Sequence, residues 1–238
     1  MIVSRILDLR FMISYLLHRI KRKLKKMRLL PIRVFCFHQV SEAFEEGKFK
    51  RGDWLQTDEF KHRVTDILEG GYVFISIEDA YDKLQHDIFR TKKYAVLTAD
   101  DGYKAIECIM PWLEEKHIPM TIFVNGKYTD GKSYRLSPKE EYMTIKELKR
   151  AGNLITIGHH GWDHINMQKM SDEEIEESVR KNKEVIAPLP NFVPFWAYPY
   201  GAHSDRSDEI IRNNGYIPVY MDGGKNYNNS NEIHRESL

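Results

Sequence analysis

Leu97-Thr98-Ala99-Asp100-Asp101-Gly102 carries an apolar, strand-like run directly into two adjacent carboxylates and a glycine. Neighbouring anions repel, and proteins resolve such a pair by placing a metal ion on one carboxylate or by raising its pKa so that it acts as a base. Asp-Gly is also a common turn dipeptide, so a plain surface turn after a strand is the alternative reading. What lies further along the chain weighs between the two.

Outward from this stretch, strand-like and helix-like segments alternate with short connections. Strands are expected at 33–38, 73–76, 94–98, 120–124, 154–157, 195–198 and 217–221, and helices near 57–68 and over 103–116. Thr144-Ile-Lys-Glu147 and Ser171-Asp-Glu-Glu174 have capping-box form, and each opens a further helix. This is the pattern of a parallel α/β fold, barrel or doubly wound. Chemistry in such folds gathers where strands end at their carboxyl side. His38, Asp100, His160 and Tyr200 all fall at expected strand ends.

The 238 residues, 42% of them hydrophobic, are ample for one sizeable core. Cys36 and Cys108 lie in apolar surroundings without metal-type spacing, so buried free thiols are expected rather than a disulfide framework. The net charge of +1 conceals an asymmetry: residues 1–28 hold nine Lys or Arg and one Asp, leaving 27 basic and 34 acidic side chains elsewhere. An acidic body does not suit nucleic acid as a partner. Ile2, Ile6, Leu9, Ile13, Leu16, Ile20 and Leu24 form an apolar stripe at helical spacing, but the longest charge-free run, Phe11 to Leu17, is too short to cross a bilayer. No small-residue cleavage site follows it. Residues 1–30 therefore read as a basic amphipathic helix preceding a domain over 31–238. That helix suits packing on the domain or on a second copy, and residues 1–28 equally suit peripheral contact with an anionic membrane. The expected location is cytoplasmic or at the inner membrane face, with the oligomeric state open.

Gly158-His159-His160-Gly161-Trp162-Asp163-His164 directly follows an expected strand. His160 and His164 are four apart, so one turn can aim both imidazoles at a point, and a carboxylate from the Asp pair completes a two-His-one-carboxylate set with open positions. His159 competes as a ligand, although its spacing of five to His164 fits less well.

These residues resemble the polysaccharide deacetylases of the NodB-homology type, the fourth family of carbohydrate esterases. Thr98-Ala99-Asp100-Asp101-Gly102 is similar to the family's Thr-Phe-Asp-Asp-Gly motif. His160-Gly161-Trp162-Asp163-His164 is similar to its His-(Ser/Thr)-x-x-His motif, with glycine replacing the hydroxyl residue, and Ala197-Tyr198-Pro199-Tyr200-Gly201 to its Arg-x-Pro-Tyr-Gly motif, without the arginine. The resemblance covers roughly residues 31–238. It implies a distorted (β/α) barrel and a hydrolase that removes acetyl groups from N-acetylated sugars in a polysaccharide, oligosaccharide or glycolipid precursor.

Carried onto this chain, the resemblance implies that Asp101, His160 and His164 hold a divalent metal, commonly zinc, and that Asp100 is the catalytic base. It further implies that the Tyr200 N–H stabilises the oxyanion and that Trp162, Tyr198, Pro199 and Gly201 face the glycan. The family's acid motif, Leu-x-His, has no clean copy here; Ile233-His234-Arg235 lacks its spacing. Phe35-Cys36-Phe37-His38 is similar to the early aromatic-His segment of the poly-N-acetylglucosamine deacetylase branch, in which the fold is circularly permuted, and this makes His38 the expected general acid. Ala197 cannot orient Asp100 as the family arginine does, so the base must be held differently. Three other readings remain: an O-acetyl esterase on xylan-type substrates, a cyclic-amide hydrolase, and a non-catalytic carbohydrate-binding protein.

Overall fold

The computed structural model describes residues 30–42, 54–87, 90–135 and 141–238. The amphipathic helix expected over residues 1–30 lies outside them, apart from Leu30.

Eleven strands and six α-helices follow one another in the described chain. The strands are β1 (Arg33–Phe37), β2 (Gln39–Ser41), β3 (Trp54–Gln56), β4 (Tyr72–Phe74), β5 (Lys93–Ala99), β6 (Met120–Val124), β7 (Ile155–His159), β8 (Phe192–Ala197), β9 (Ile217–Tyr220), β10 (Ile233–His234) and β11 (Glu236–Ser237). The helices are α1 (Thr57–Glu69), α2 (Ile77–His86), α3 (Met110–Glu115), α4 (Ile145–Leu148), α5 (Asp172–Ile186) and α6 (Asp205–Asn213). The main sheet runs β10-β9-β8-β7-β6-β5-β1-β11, with β4 also on β5, and every pairing in it is parallel. Its two ends, β10 and β11, are consecutive in the chain, so the sheet curls into a nearly closed barrel rather than a doubly wound open sheet.

Alternation along the strands divides the core. Val34, Val96, Phe123, Phe195, Ala197, Val219 and Ile233 pack together with Ile77, Ala80 and Leu84 of α2. Phe35, Phe37, Leu97, Ala99, Ile122 and Ile157 join the larger cluster that includes Phe60 and Val64 of α1 and Leu113 of α3. Each fully buried aliphatic or aromatic side chain is worth roughly 1.5–3 kcal/mol, so both clusters hold the strand ends in place.

Both expected capping boxes form. The Ser171 hydroxyl accepts from the Glu174 N–H while Glu174 accepts from the Ser171 N–H, and Thr144 and Glu147 do the same. A third, Ser204 with Ser207, opens α6 and uses a serine in place of the acid. The helix expected over 103–116 is instead a 3-10 turn over Lys104–Ile109 followed by α3. Pro111 is the reason: without an N–H it suits only the first turn of a helix, so the winding restarts beside it. Cys36 is buried as expected, whereas Cys108, on that 3-10 turn, is exposed; both are free thiols.

Candidate active site

β1, β5 and β7 hand their next residues to one rim. The register pairs Phe37 with Ala99 and Val124 with His159. Beyond it, Asp100 N–H donates to Phe37 O and His160 N–H to Val124 O, each at 3.0 Å. His38, Asp100 and His160 are thereby brought level at the carboxyl end of the barrel.

Strict alternation would send the Asp100 and Asp101 side chains to opposite faces. Asp101 instead takes φ +70°, and His164 and Tyr200 take +58° and +61°. These are three of the five non-glycine residues in left-handed backbone among the described residues, each costing on the order of 1–3 kcal/mol, and such strain collects where a site demands it. Gly161, at φ +75°, opens the turn between the two histidines, where a Cβ would also approach Pro199 Cγ at 3.4 Å; a serine or threonine there would be strained. Asn125 Nδ2 donates to His160 O and to Gly161 O, and Trp162 N–H donates to Ser178 Oγ of α5 at 3.0 Å. The turn from His160 to His164 is thus clamped from two sides.

Asp101, His160 and His164 are buried and each presents a ligand atom, all within 4.8 Å of one another. His164 Nε2 lies 3.0 Å and His160 Nε2 3.5 Å from Asp101 Oδ1. His160 Nδ1 donates to Ala197 O at 2.9 Å, which leaves the lone pair on Nε2. Burial drives this imidazole down to about 4, with Asp100 only partly opposing, so the ring is neutral near pH 7. Its Nε2 is buried without a hydrogen-bond partner, facing a carboxylate oxygen. Two acceptors aimed at each other in a dry space are unfavourable unless a cation stands between them. Three nitrogen and oxygen donors with further positions open are also what a catalytic divalent ion takes. The residues fit a metal.

Asp100 stands outside this cluster. Arg235 donates from Nη1 to Oδ1 at 2.6 Å and from Nη2 to Oδ2 at 2.8 Å, and both residues are buried. Burial alone would raise the carboxyl, but the Arg235 guanidinium and His160 more than offset it and hold it below the usual carboxylate range. Oδ2 lies 4.0 Å from His160 Nε2 and so faces the Asp101–His160–His164 cluster. Asp100 is thus held without an arginine at 197, by Arg235, a residue that no motif in the sequence marks although it adjoins His234. Only the pairing of the last strands shows that Arg235, not His234, turns inward. His234 bonds Asp222 Oδ2 at 2.8 Å and lies against the Tyr220 ring, whereas His38 is close enough to act electrostatically on Asp100.

Arg135 is a second residue with no signal in the sequence. Its Nη1 lies 3.3 Å from both Asp101 oxygens and its Nη2 donates to Tyr103 Oη at 3.1 Å. Two buried carboxylates are therefore balanced by two guanidiniums.

Tyr200 is 67% exposed, its ring edge-on to His164 at 4.5 Å between centroids, and Trp162 is partly buried beside Gly126. Pro199 is buried against Gly161, and Gly201 abuts Met221. Tyr198 turns into the helix-side core, stacked on Tyr220 and tilted against His203, which leaves Tyr200 as the aromatic of this turn that reaches solvent. His159 is fully buried on the opposite face from His160, bonded to Asn182 at 2.8 Å and packed on Trp196 and Tyr216, so it does not compete as a ligand.

The sequence profile of the polysaccharide deacetylases matches residues 89–219, more than half of the chain. The chain belongs to the polysaccharide deacetylase family. YxkH of Bacillus subtilis (strain 168), a polysaccharide deacetylase by name, is 23% identical over 196 residues. That match takes in 82% of this chain but 64% of YxkH, so the chain spans less than two thirds of that relative. Among solved structures, the Streptococcus pyogenes deacetylase PplD in complex with acetate superposes with a TM-score of 0.76 at 20% identity, over 88% of this chain and 93% of its own. IcaB from Ammonifex degensii gives 0.73 at 20% identity, over 87% and 91%. At these identities the likeness shows the fold, a deacetylase-type barrel.

Proposed function

We propose that this member of the family removes acetyl groups from N-acetylated sugars of a polysaccharide, oligosaccharide or glycolipid precursor, with a divalent metal, zinc, held by Asp101, His160 and His164. The observation that carries the reading is the bare, buried His160 Nε2 opposite Asp101, with the ionised Asp100 carboxylate 4.0 Å away. Bound there, the metal would polarise the acetyl carbonyl and lower the pKa of a water at an open position. Asp100, kept in its acceptor form by Arg235, takes the proton of the attacking water. His38, beside it, protonates the departing amine. The Tyr200 N–H, set by its left-handed turn, donates to the carbonyl oxygen as charge develops there. The exposed Tyr200 ring and Trp162 offer faces for pyranose rings.

The test is acetate release by the zinc-loaded protein from N-acetylglucosamine oligomers and, in parallel, from acetylated xylan. Release from the oligomers is expected. Release from xylan alone would make the chain an O-acetyl esterase, and stoichiometric metal with no acetate from either would make it a binding protein.

A further inference from the structure

The carboxylate read above as the base is gripped by the residue at which the barrel closes. β10 and β11 are the two ends of the strand path and are separated in the chain by Arg235 alone. On one side, Arg235 N–H donates to Tyr220 O at 3.0 Å and Arg235 O accepts from Gly223 N–H at 2.9 Å. On the other, Glu236 and Ser237 register with Phe35 and Cys36 of β1, and Leu238 N–H donates to Cys36 O at 2.9 Å. The segment 233–238 thus joins β9 to β1, and Arg235 turns inward between them. Its guanidinium lies 5.2 Å over the Phe123 ring, donates to Thr98 Oγ1 at 3.2 Å, and spans both oxygens of Asp100.

We propose that Arg235 is a positioning residue for the deacetylation. Its planar fork fixes the plane of the Asp100 carboxylate with Oδ2 toward the metal ligands, and its own place is set by barrel closure, so the base is aligned only when the last strand has docked. The proposal rests on the reading of Asp100 as base. A carboxylate plane rotates in a broad, soft well, so one contact does not orient it; two parallel N–H donors do. Phe123 and Thr98 in turn hold the guanidinium. The competing role is neutralisation of a buried anion, which needs only a positive charge. Lysine supplies that charge without the fork, so Arg235→Lys separates the two roles.

The experiment compares wild type with Arg235→Lys and Arg235→Ala by crystallography, metal content and steady-state kinetics on N-acetylglucosamine oligomers. Positioning predicts that Arg235→Lys folds, binds full metal, keeps its KM, and loses kcat on the order of 100-fold, the scale of a misplaced reacting group. Its crystal structure should show the Asp100 carboxylate rotated away from His160. Added guanidinium, but not ammonium, should restore part of the kcat of Arg235→Ala. Retained kcat in Arg235→Lys would overturn the proposal. So would an Asp100 carboxylate that keeps its wild-type orientation there, whether or not Arg235→Ala folds. If the wild type releases no acetate, the deacetylase reading falls, and the carboxylate orientation in Arg235→Lys still decides the positioning claim.

Discussion

Asp100 and Asp101 are the same residue type one position apart, and the fold gives them different partners. Asp101 shares its oxygens with His164, His160 and Arg135, while Asp100 shares its own with Arg235. Asp101→Ala should lose bound metal, read by elemental analysis, and acetate release with it. Asp100→Asn should keep full metal and lose about 10²–10⁴-fold in kcat, the usual worth of a general base. Metal loss in Asp100→Asn would exchange the two assignments. The two histidines weighed as proton donor are separable in the same way: His38→Ala should lower kcat on the same scale, and His234→Ala, whose ring bonds Asp222, should leave kcat near wild type. The carboxylate pair and the His160–His164 spacing were legible because both are local patterns in the chain. Arg135 was not, since a lone arginine in a loop carries no sign of what it touches.

β7 shows what an element contributes. It ends by turning His159 into the helix-side core and passing His160 to the rim, so adjacent histidines in one sequence run serve opposite faces of one sheet. Burial, with a smaller push from Lys183, drives His159 down to about 3 from an ordinary 6.5. Between those values the unfolded chain binds a proton that the folded chain refuses. Stability from this group is complete above pH 6.5 and is lost as pH falls toward 3, with a slope approaching about 1.4 kcal/mol per pH unit. Urea denaturation between pH 7 and pH 4 should therefore show a shallower loss in His159→Phe than in wild type, and equal slopes would refute the assignment. The strand and helix order was readable from period and capping boxes. The helix over 103–116 was not, because Pro111 breaks in two a segment whose apolar spacing is continuous.

Across the whole molecule, the ion pair at the seam ties stability to closure. Asp100 and Arg235 are both buried, so removing either partner leaves an uncompensated charge in a dry interior. Arg235→Met should destabilise the fold by about 3–5 kcal/mol, and pairing it with Asp100→Asn should recover most of that loss. Chemical denaturation of the two single variants and the double one measures the coupling. Simple additivity would mean that the pair holds nothing together.

From the chain alone came the alternation of a parallel α/β fold, the Asp-Asp turn and the spaced histidines, since each is written in neighbours and in periods of two or three to four residues. The tertiary structure decided that the sheet closes, that His38 acts electrostatically on Asp100 while His234 bonds Asp222, and that Arg235 holds Asp100 across 135 positions of sequence. Those outcomes depend on strand register and on which face of the last strand turns inward. Register is fixed by the packing of the whole barrel, and no local stretch of residues carries it.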